Sequence, residues 1–70
     1  PNAPIFLAAL ERAKVIPAEA IHIGDQYKVD VIGARGVGIT PLLLDRYDLS
    51  PDVNDCPRLH SLAEVPQYLT

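Results

Sequence analysis

Two aspartates separated by four residues form the part of the chain whose spacing best suits chemistry. The strand-like residues 21–23 lead directly into Gly24-Asp25, and Asp30 follows at the start of a helical pattern. An acidic residue at the carboxyl end of a buried strand lies where open α/β sheets place their ligand chemistry. Two carboxylates brought together there repel each other unless a cation or a proton neutralises one of them. Mg²⁺ prefers oxygen ligands, so Asp25 and Asp30 are candidate metal ligands.

Two helices and two strands are predicted to position this pair. Apolar residues spaced three and four apart predict a helix over 3–14, which ends before Pro17. Residues 20–24 alternate as a short strand does, a second helix is predicted over 28–35, and a second strand over 39–44. Two strands joined by one helix form a βαβ unit, so the fold class is α/β with a partial Rossmann-like parallel sheet and a right-handed crossover.

Glycines are expected to end the second helix, and a proline restricts where the second strand can lie in the sheet. The helix pattern sets Val29, Ile32 and Gly36 along one side. Gly36 and Gly38 are expected to end the helix, one of them in a left-handed conformation. Pro41 cannot donate to a strand ladder, which places its strand at an edge of the sheet or the proline at an unpaired position.

An acidic connection and a short terminal segment follow the second strand. Residues 45–56 contain four aspartates, which could form a second cation site, but their spacing fits no calcium loop and favours an ordinary solvated loop. Residues 57–60 are expected to add a short strand. Ser61 and Glu64 then have the spacing of a capping box, and Pro66 limits the helix that they begin.

Composition excludes several classes of protein. The 70-residue chain is 49% apolar, which is typical of a packed segment and not of a disordered tail. Its net charge of −3 argues against nucleic acid or a membrane surface as a partner, and a single cysteine excludes an internal disulfide. We expect a cytoplasmic location. The chain begins with Pro1 in place of methionine, and we expect it to be a fragment of something longer.

These patterns together resemble the carboxy-terminal part of haloacid dehalogenase-like (HAD) hydrolases, most of all the phosphoglycolate-phosphatase-like branch. The residues that carry the resemblance are Pro4-Ile5-Phe6, Ala9-Leu10, Pro17, His22-Ile23-Gly24-Asp25, Asp30-Val31, Gly33-Ala34-Arg35, Gly38 and Leu43-Leu44-Asp45-Arg46. Gly-Asp followed five positions later by Asp is the fourth signature motif of that superfamily. The match covers nearly the whole chain, densely over residues 4–46.

The resemblance implies a role for each acidic residue of the motif. Asp25 matches the Mg²⁺ ligand of the fourth motif, and Asp30 matches its second acid, which acts on the metal through water or orients its shell. Related dehalogenases need no metal and lack this pair, so the pair implies phosphoryl chemistry on a small phosphorylated metabolite. The intact protein would then hydrolyse phosphomonoesters through an aspartyl-phosphate.

Other elements of the family have no counterpart in residues 1–70. These are the nucleophilic and acid/base aspartates, the Ser/Thr phosphate donor, the lysine of the third motif and the cap domain that selects substrate. The fragment alone is therefore expected to be inactive. Its predicted sheet also lacks a neighbour beside the strand that ends at Asp25, so we expect the missing amino-terminal part of the same fold, or a second copy, to pair there.

Simpler interpretations accompany these. Asp25 could be a turn residue and Asp30 a helix-terminus residue. His22 is more typical of a packed, hydrogen-bonded side chain than of a ligand, and Tyr27 could equally flank a site or lie on the surface. Cys56 has no evident catalytic partner and is interpreted as inert. The alternative functions are a non-catalytic interaction domain with the HAD fold and a receiver-like signalling module.

Overall fold

Helices and strands alternate along the chain in the computed structural model, which describes residues 3–69. The strands are β1 (Ile21–Gly24), β2 (Thr40–Leu44) and β3 (Arg58–Leu59). Helix α1 spans Ala3–Ala13, and α2 consists of a π-helix over Tyr27–Ile32 and an α-helical turn over Gly33–Gly36. Short 3₁₀ helices span Pro17–Glu19 and Leu62–Tyr68. The predicted α/β class is confirmed.

The three strands form one parallel sheet in the order β1-β2-β3. Ile21 pairs with Thr40 and Gly24 with Leu43, so β1 and β2 end at the same edge of the sheet. β1 is an outer strand, and among residues 3–69 no strand pairs with its other side. The sheet is thus a partial Rossmann-like one, as predicted, with an open edge beside the strand that leads to Asp25.

Pro41 lies in the central strand, so the expectation of an edge strand is wrong and the alternative of an unpaired position holds. The N–H of Thr40 donates to Ala20 on one side of β2, and the N–H of Leu43 donates to Pro57 on the other side. Alternation along the strand directs the nitrogen of Pro41 to the β3 side. β3 pairs with β2 only from Leu43 onward, so no ladder hydrogen bond is lost at the proline.

The buried apolar core consists of Phe6, Leu10, Val31, Ala34, Ile39, Leu42, Leu43 and Leu59. Phe6 and Leu10 of α1, Ala34 of α2 and Ile39 before β2 form one cluster within it. Val29 and Ile32 are 43% and 46% exposed, whereas Val31 and Ala34 are fully buried, so the face predicted for α2 is wrong. The first part of α2 is a π-helix, whose wider i→i+5 turns rotate each side chain less than the α-helical spacing assumes.

Two smaller sequence predictions concern the ends of helices. Gly38 adopts a φ of +84°, which confirms a left-handed glycine after α2. Ser61 Oγ accepts from the N–H of Ala63, and the Glu64 carboxylate accepts from the N–H of Ser61, as a capping box requires. Over residues 3–69, no helix has the length and apolar character needed to cross a bilayer.

Candidate functional site

The carboxyl ends of β1 and β2 border an open cavity of about 320 Å³. Its lining consists of Gly24 and Asp25 after β1 and of residues 44–47, 49 and 50 after β2. Parallel pairing brings these two segments to one edge, because strands that run in the same direction end side by side. This is the position at which open α/β sheets bind ligands.

Asp25 lies on the wall of this cavity and is exposed. Its side chain forms no hydrogen bond or ion pair with any of residues 3–69, whereas most aspartates of the chain are paired. A carboxylate that faces a cavity without a partner is available to a cation.

Asp30 has a different environment, and it is not part of the cavity lining. Its Oδ1 lies 2.9 Å from Nε2 of His22, and its Oδ2 accepts from the N–H of Gln26 at 2.9 Å. Partial burial opposes ionisation, but the hydrogen bonds from His22 and Gln26 outweigh it and hold the pKa of Asp30 below its ordinary value. Asp30 therefore connects the turn that follows Gly24 to His22 in β1, and this fixes the backbone next to Asp25.

Gly24 permits this close approach. A Cβ placed on Gly24 would lie 2.0 Å from Cγ and 2.5 Å from Cβ of Asp30, far inside van der Waals contact. The carboxyl group of Asp30 therefore occupies the space that any other residue at position 24 would fill. The absence of a side chain at Gly24 is therefore what allows Asp30 to pack against the turn that contains Asp25.

His22 connects Asp30 to the first helix. Its ring makes an edge-to-face contact with Phe6 of α1, with centroids 4.7 Å apart and planes at 89°. Nε2 of the same ring bonds to Asp30, so the prediction of a packed, hydrogen-bonded histidine is confirmed. Packing of α1 on the sheet thereby fixes the ring that orients Asp30.

Asp45 anchors the other wall of the cavity. It is buried, at 6% exposure, and accepts from the N–H groups of Leu49 and Ser50 at 2.8 Å each and from Arg58 at 3.1 Å. Burial opposes its ionisation, but the two N–H groups and the guanidinium of Arg58 outweigh this and lower its pKa. One carboxylate thus closes residues 45–50 into a defined turn.

Two further aspartates of the acidic connection, Asp48 and Asp55, are also paired. Asp48 contacts Arg58 and His60, and Asp55 accepts from Tyr27 and Arg35, which ties the connection to α2. The side chains satisfy one another, and within residues 3–69 no group of three His, Cys, Asp or Glu side chains has the arrangement of a metal site. The connection is a largely exposed loop, and these ion pairs fix its shape.

Tyr27 and Cys56 need no catalytic role in this arrangement. The hydroxyl of Tyr27 donates to Asp55, and this hydrogen bond raises the pKa of the phenol. Cys56 is half-buried, and burial followed by the charge of Asp55 raises the pKa of its thiol. A thiol with a raised pKa is a weak nucleophile at neutral pH, in line with the interpretation of Cys56 as inert.

The sequence of the chain matches one known protein family. The family model described as HAD-hydrolase-like matches residues 1–54, which is most of the chain and includes α1, β1, α2 and β2. The chain belongs to the HAD-like hydrolases. No solved structure shows significant similarity to this HAD-like chain.

Relatives of the HAD-like chain agree with this assignment. Haloacid dehalogenase-like hydrolase domain-containing protein 3 from Danio rerio is 39% identical over 99% of the chain and 30% of its own length. The protein of the same name from Mus musculus is 46% identical over 99% of the chain and 28% of its own length. Glyceraldehyde 3-phosphate phosphatase from Methanopyrus kandleri is 34% identical over 79% of the chain and 25% of its own length. The chain spans less than a third of these curated relatives.

Asp45 has a structural role that the sequence does not indicate. The sequence places it in the acidic connection and among the residues that resemble the HAD family, and in the structure it is the buried anchor of the turn that lines the cavity. A usable signal is its place directly after β2, because a polar residue there lies at the carboxyl edge of the sheet, next to the end of β1. The sequence also predicts that His22 forms a hydrogen bond, but it does not indicate that the partner is Asp30.

Asp45→Asn is expected to lower the melting temperature at neutral pH and to weaken its acid dependence. The folded-state pKa of Asp45 lies below its ordinary value of 3.8, so the unfolded chain binds the proton more readily. The contribution of this carboxylate is complete above pH 3.8 and is lost as the pH falls through the lower folded-state pKa. Thermal unfolding of both proteins from pH 7 to pH 2.5 measures it. A difference in melting temperature that stays constant over this range contradicts the assignment.

Proposed function

We propose that this chain is the carboxy-terminal segment of a Mg²⁺-dependent HAD-like phosphatase that hydrolyses a small phosphorylated metabolite in the cytoplasm. The observation that carries the proposal is the unpaired Asp25 carboxylate on the cavity at the carboxyl ends of β1 and β2. Membership in the HAD-like hydrolases gives the class of reaction, and one relative is named as a phosphatase. The motif spacing of Asp25 and Asp30 favours phosphoryl chemistry within that class.

Asp25 supplies part of a magnesium site. Mg²⁺ is bound through one or two carboxylates and keeps several waters, so the single oxygen donor group of Asp25 is a suitable partial site. The ion, when bound, would offset the negative charge that accumulates on a phosphoryl group. Asp25 would hold it, while Asp30 stays engaged with His22 and Gln26 and keeps the turn in place.

The open edge of β1 suits the same proposal. β1 is a half-buried outer strand, and the unpaired backbone groups of such a strand favour pairing with a further strand. We propose that this strand comes from the same fold and brings the aspartate nucleophile next to Asp25. In that arrangement, the nucleophile forms an aspartyl-phosphate with release of the alcohol, and water then attacks the phosphorus to release inorganic phosphate.

Metal removal tests the proposal. The whole protein that contains this segment, called the intact protein below, is expected to hydrolyse 4-nitrophenyl phosphate with Mg²⁺. EDTA should lower the rate by at least about 100-fold, and excess Mg²⁺ should restore it, because a metal supplies several kcal/mol of charge stabilisation. Release of 4-nitrophenolate measures the rate. Hydrolysis that EDTA leaves unchanged contradicts the metal dependence, and no hydrolysis with Mg²⁺ favours a non-catalytic HAD-fold domain.

A further inference from the structure

Arg46 lines the cavity and differs from the other arginines near it. Arg35 pairs with Asp55, and Arg58 pairs with Asp45 and Asp48. Arg46 forms no ion pair with any of residues 3–69, although aspartates stand one residue before it and two after it. Arg46 therefore has no ion-pair partner within residues 3–69, and it lines the same cavity as Asp25.

The structure explains why the neighbouring aspartates leave Arg46 free. Asp45 directs both oxygens inward, to the N–H groups of Leu49 and Ser50 and to Arg58. Asp48 adopts a positive φ of 57°, its N–H contacts the carbonyl of Asp45 at 3.3 Å, and its carboxylate also contacts Arg58. The two acids thus hold the turn through Arg58, and their charges are already compensated.

The same turn supplies an apolar flank. Tyr47 and Leu49 line the cavity beside Arg46 and are 79% and 80% exposed. A cavity of about 320 Å³ is at the small end of the range for metabolite sites. A cation that shares a cavity with two largely apolar side chains suits a small ligand with a short carbon skeleton and an anionic end.

We propose that Arg46 binds a second anionic group of the substrate, one that is not hydrolysed. The proposal rests on the proposed function, because it places the scissile phosphoryl group at Asp25 and the second group across the cavity. A guanidinium presents a planar fork of donors that matches carboxylate and phosphate groups. The substrate class is therefore small phosphomonoesters that carry a carboxylate or a second phosphate.

Paired substrates test this specificity in the intact protein with Mg²⁺. 3-Phosphoglycerate is compared with glycerol 3-phosphate for the carboxylate, and fructose 1,6-bisphosphate with fructose 6-phosphate for the second phosphate. In one pair, the wild type is expected to favour the substrate with the additional anionic group. Arg46→Gln should lower that ratio of kcat/KM values roughly 10- to 100-fold, the effect of one charge-assisted hydrogen-bonded pair.

Arg12→Gln is the matched control. Arg12 is an exposed arginine in the last turn of α1 and does not line this cavity, so the ratio should stay at the wild-type value. Because Arg46 is exposed, its substitution should leave the melting temperature unchanged.

The two pairs also separate the possible failures. A ratio that Arg46→Gln leaves unchanged in both pairs, or an equal loss on all four substrates, overturns the role of Arg46. The proposed function still stands in that case if 4-nitrophenyl phosphate is hydrolysed in a Mg²⁺-dependent way. Absence of that hydrolysis in the wild type overturns both proposals.

Discussion

Asp25→Asn is expected to lower Mg²⁺-dependent hydrolysis of 4-nitrophenyl phosphate by the intact protein at least about 100-fold. Changes to residues that only hydrogen-bond to a metal ligand already cost about 10- to 100-fold, and the proposed role of Asp25 is direct ligation. The amide keeps the size of the side chain but removes the charge that attracts the cation. Asp25 is exposed and its side chain has no partner among residues 3–69, so the fold should be retained. Initial rates over a magnesium titration, with the melting temperature beside them, measure both effects.

Asp52→Asn is the control for this substitution. Asp52 is an exposed aspartate of the acidic connection, and it does not line the cavity. Removing its charge changes the net charge of the protein by the same amount as Asp25→Asn does. Wild-type turnover is therefore expected for Asp52→Asn. Undiminished turnover in Asp25→Asn would remove this residue from the metal site.

The strand and helix order could be predicted because each element has a local pattern. α1 and β1 follow from the spacing of their apolar residues, and the parallel sheet follows from the βαβ order. The winding of α2 could not be predicted, because the same residue types suit a π-helix and an α-helix, and the two differ in their hydrogen-bond partners and in their rotation per residue. That difference exposes Val29 and Ile32 and buries Val31, which an α-helical spacing does not indicate.

Only part of the candidate site could be predicted from the sequence. The place of Asp25 after β1 follows from the sequence, since a short apolar run precedes it. The partnership of Asp30 with His22 does not, because the two residues lie on different elements and meet only through the turn between them. Asp45 illustrates the limit most clearly. Its burial depends on N–H groups and on Arg58, which only the folded turn brings to it.

Gly24→Ala is expected to lower the free energy of unfolding of the intact protein by about 2–4 kcal/mol and to lower its phosphatase activity. Overpacking alone costs about 1–3 kcal/mol, and a lost hydrogen bond adds about 1 kcal/mol. Rotation of Asp30 cannot relieve the clash, because its Cβ, and not only its carboxyl group, lies 2.5 Å from the new atom. The backbone must shift, which separates Asp30 from Gln26 and displaces Asp25.

Gly36→Ala is the matched control. No atom lies within 4 Å of the position that its Cβ would take, and alanine is the better helix former at the end of α2. This variant should be unchanged in stability or gain up to about 1 kcal/mol. Urea unfolding followed by circular dichroism compares the two variants with the wild type.

The cause of the Gly24→Ala effect is tested by a double-mutant cycle with Asp30→Gly, which removes the clashing side chain. If the clash with Asp30 is responsible, Gly24→Ala should cost much less stability in the Asp30→Gly background than in the wild type. Such coupling would show that Gly24 is required because Asp30 occupies the space that a side chain at position 24 would need. An equal cost in both backgrounds would mean that the glycine is needed for another reason, such as its own backbone conformation.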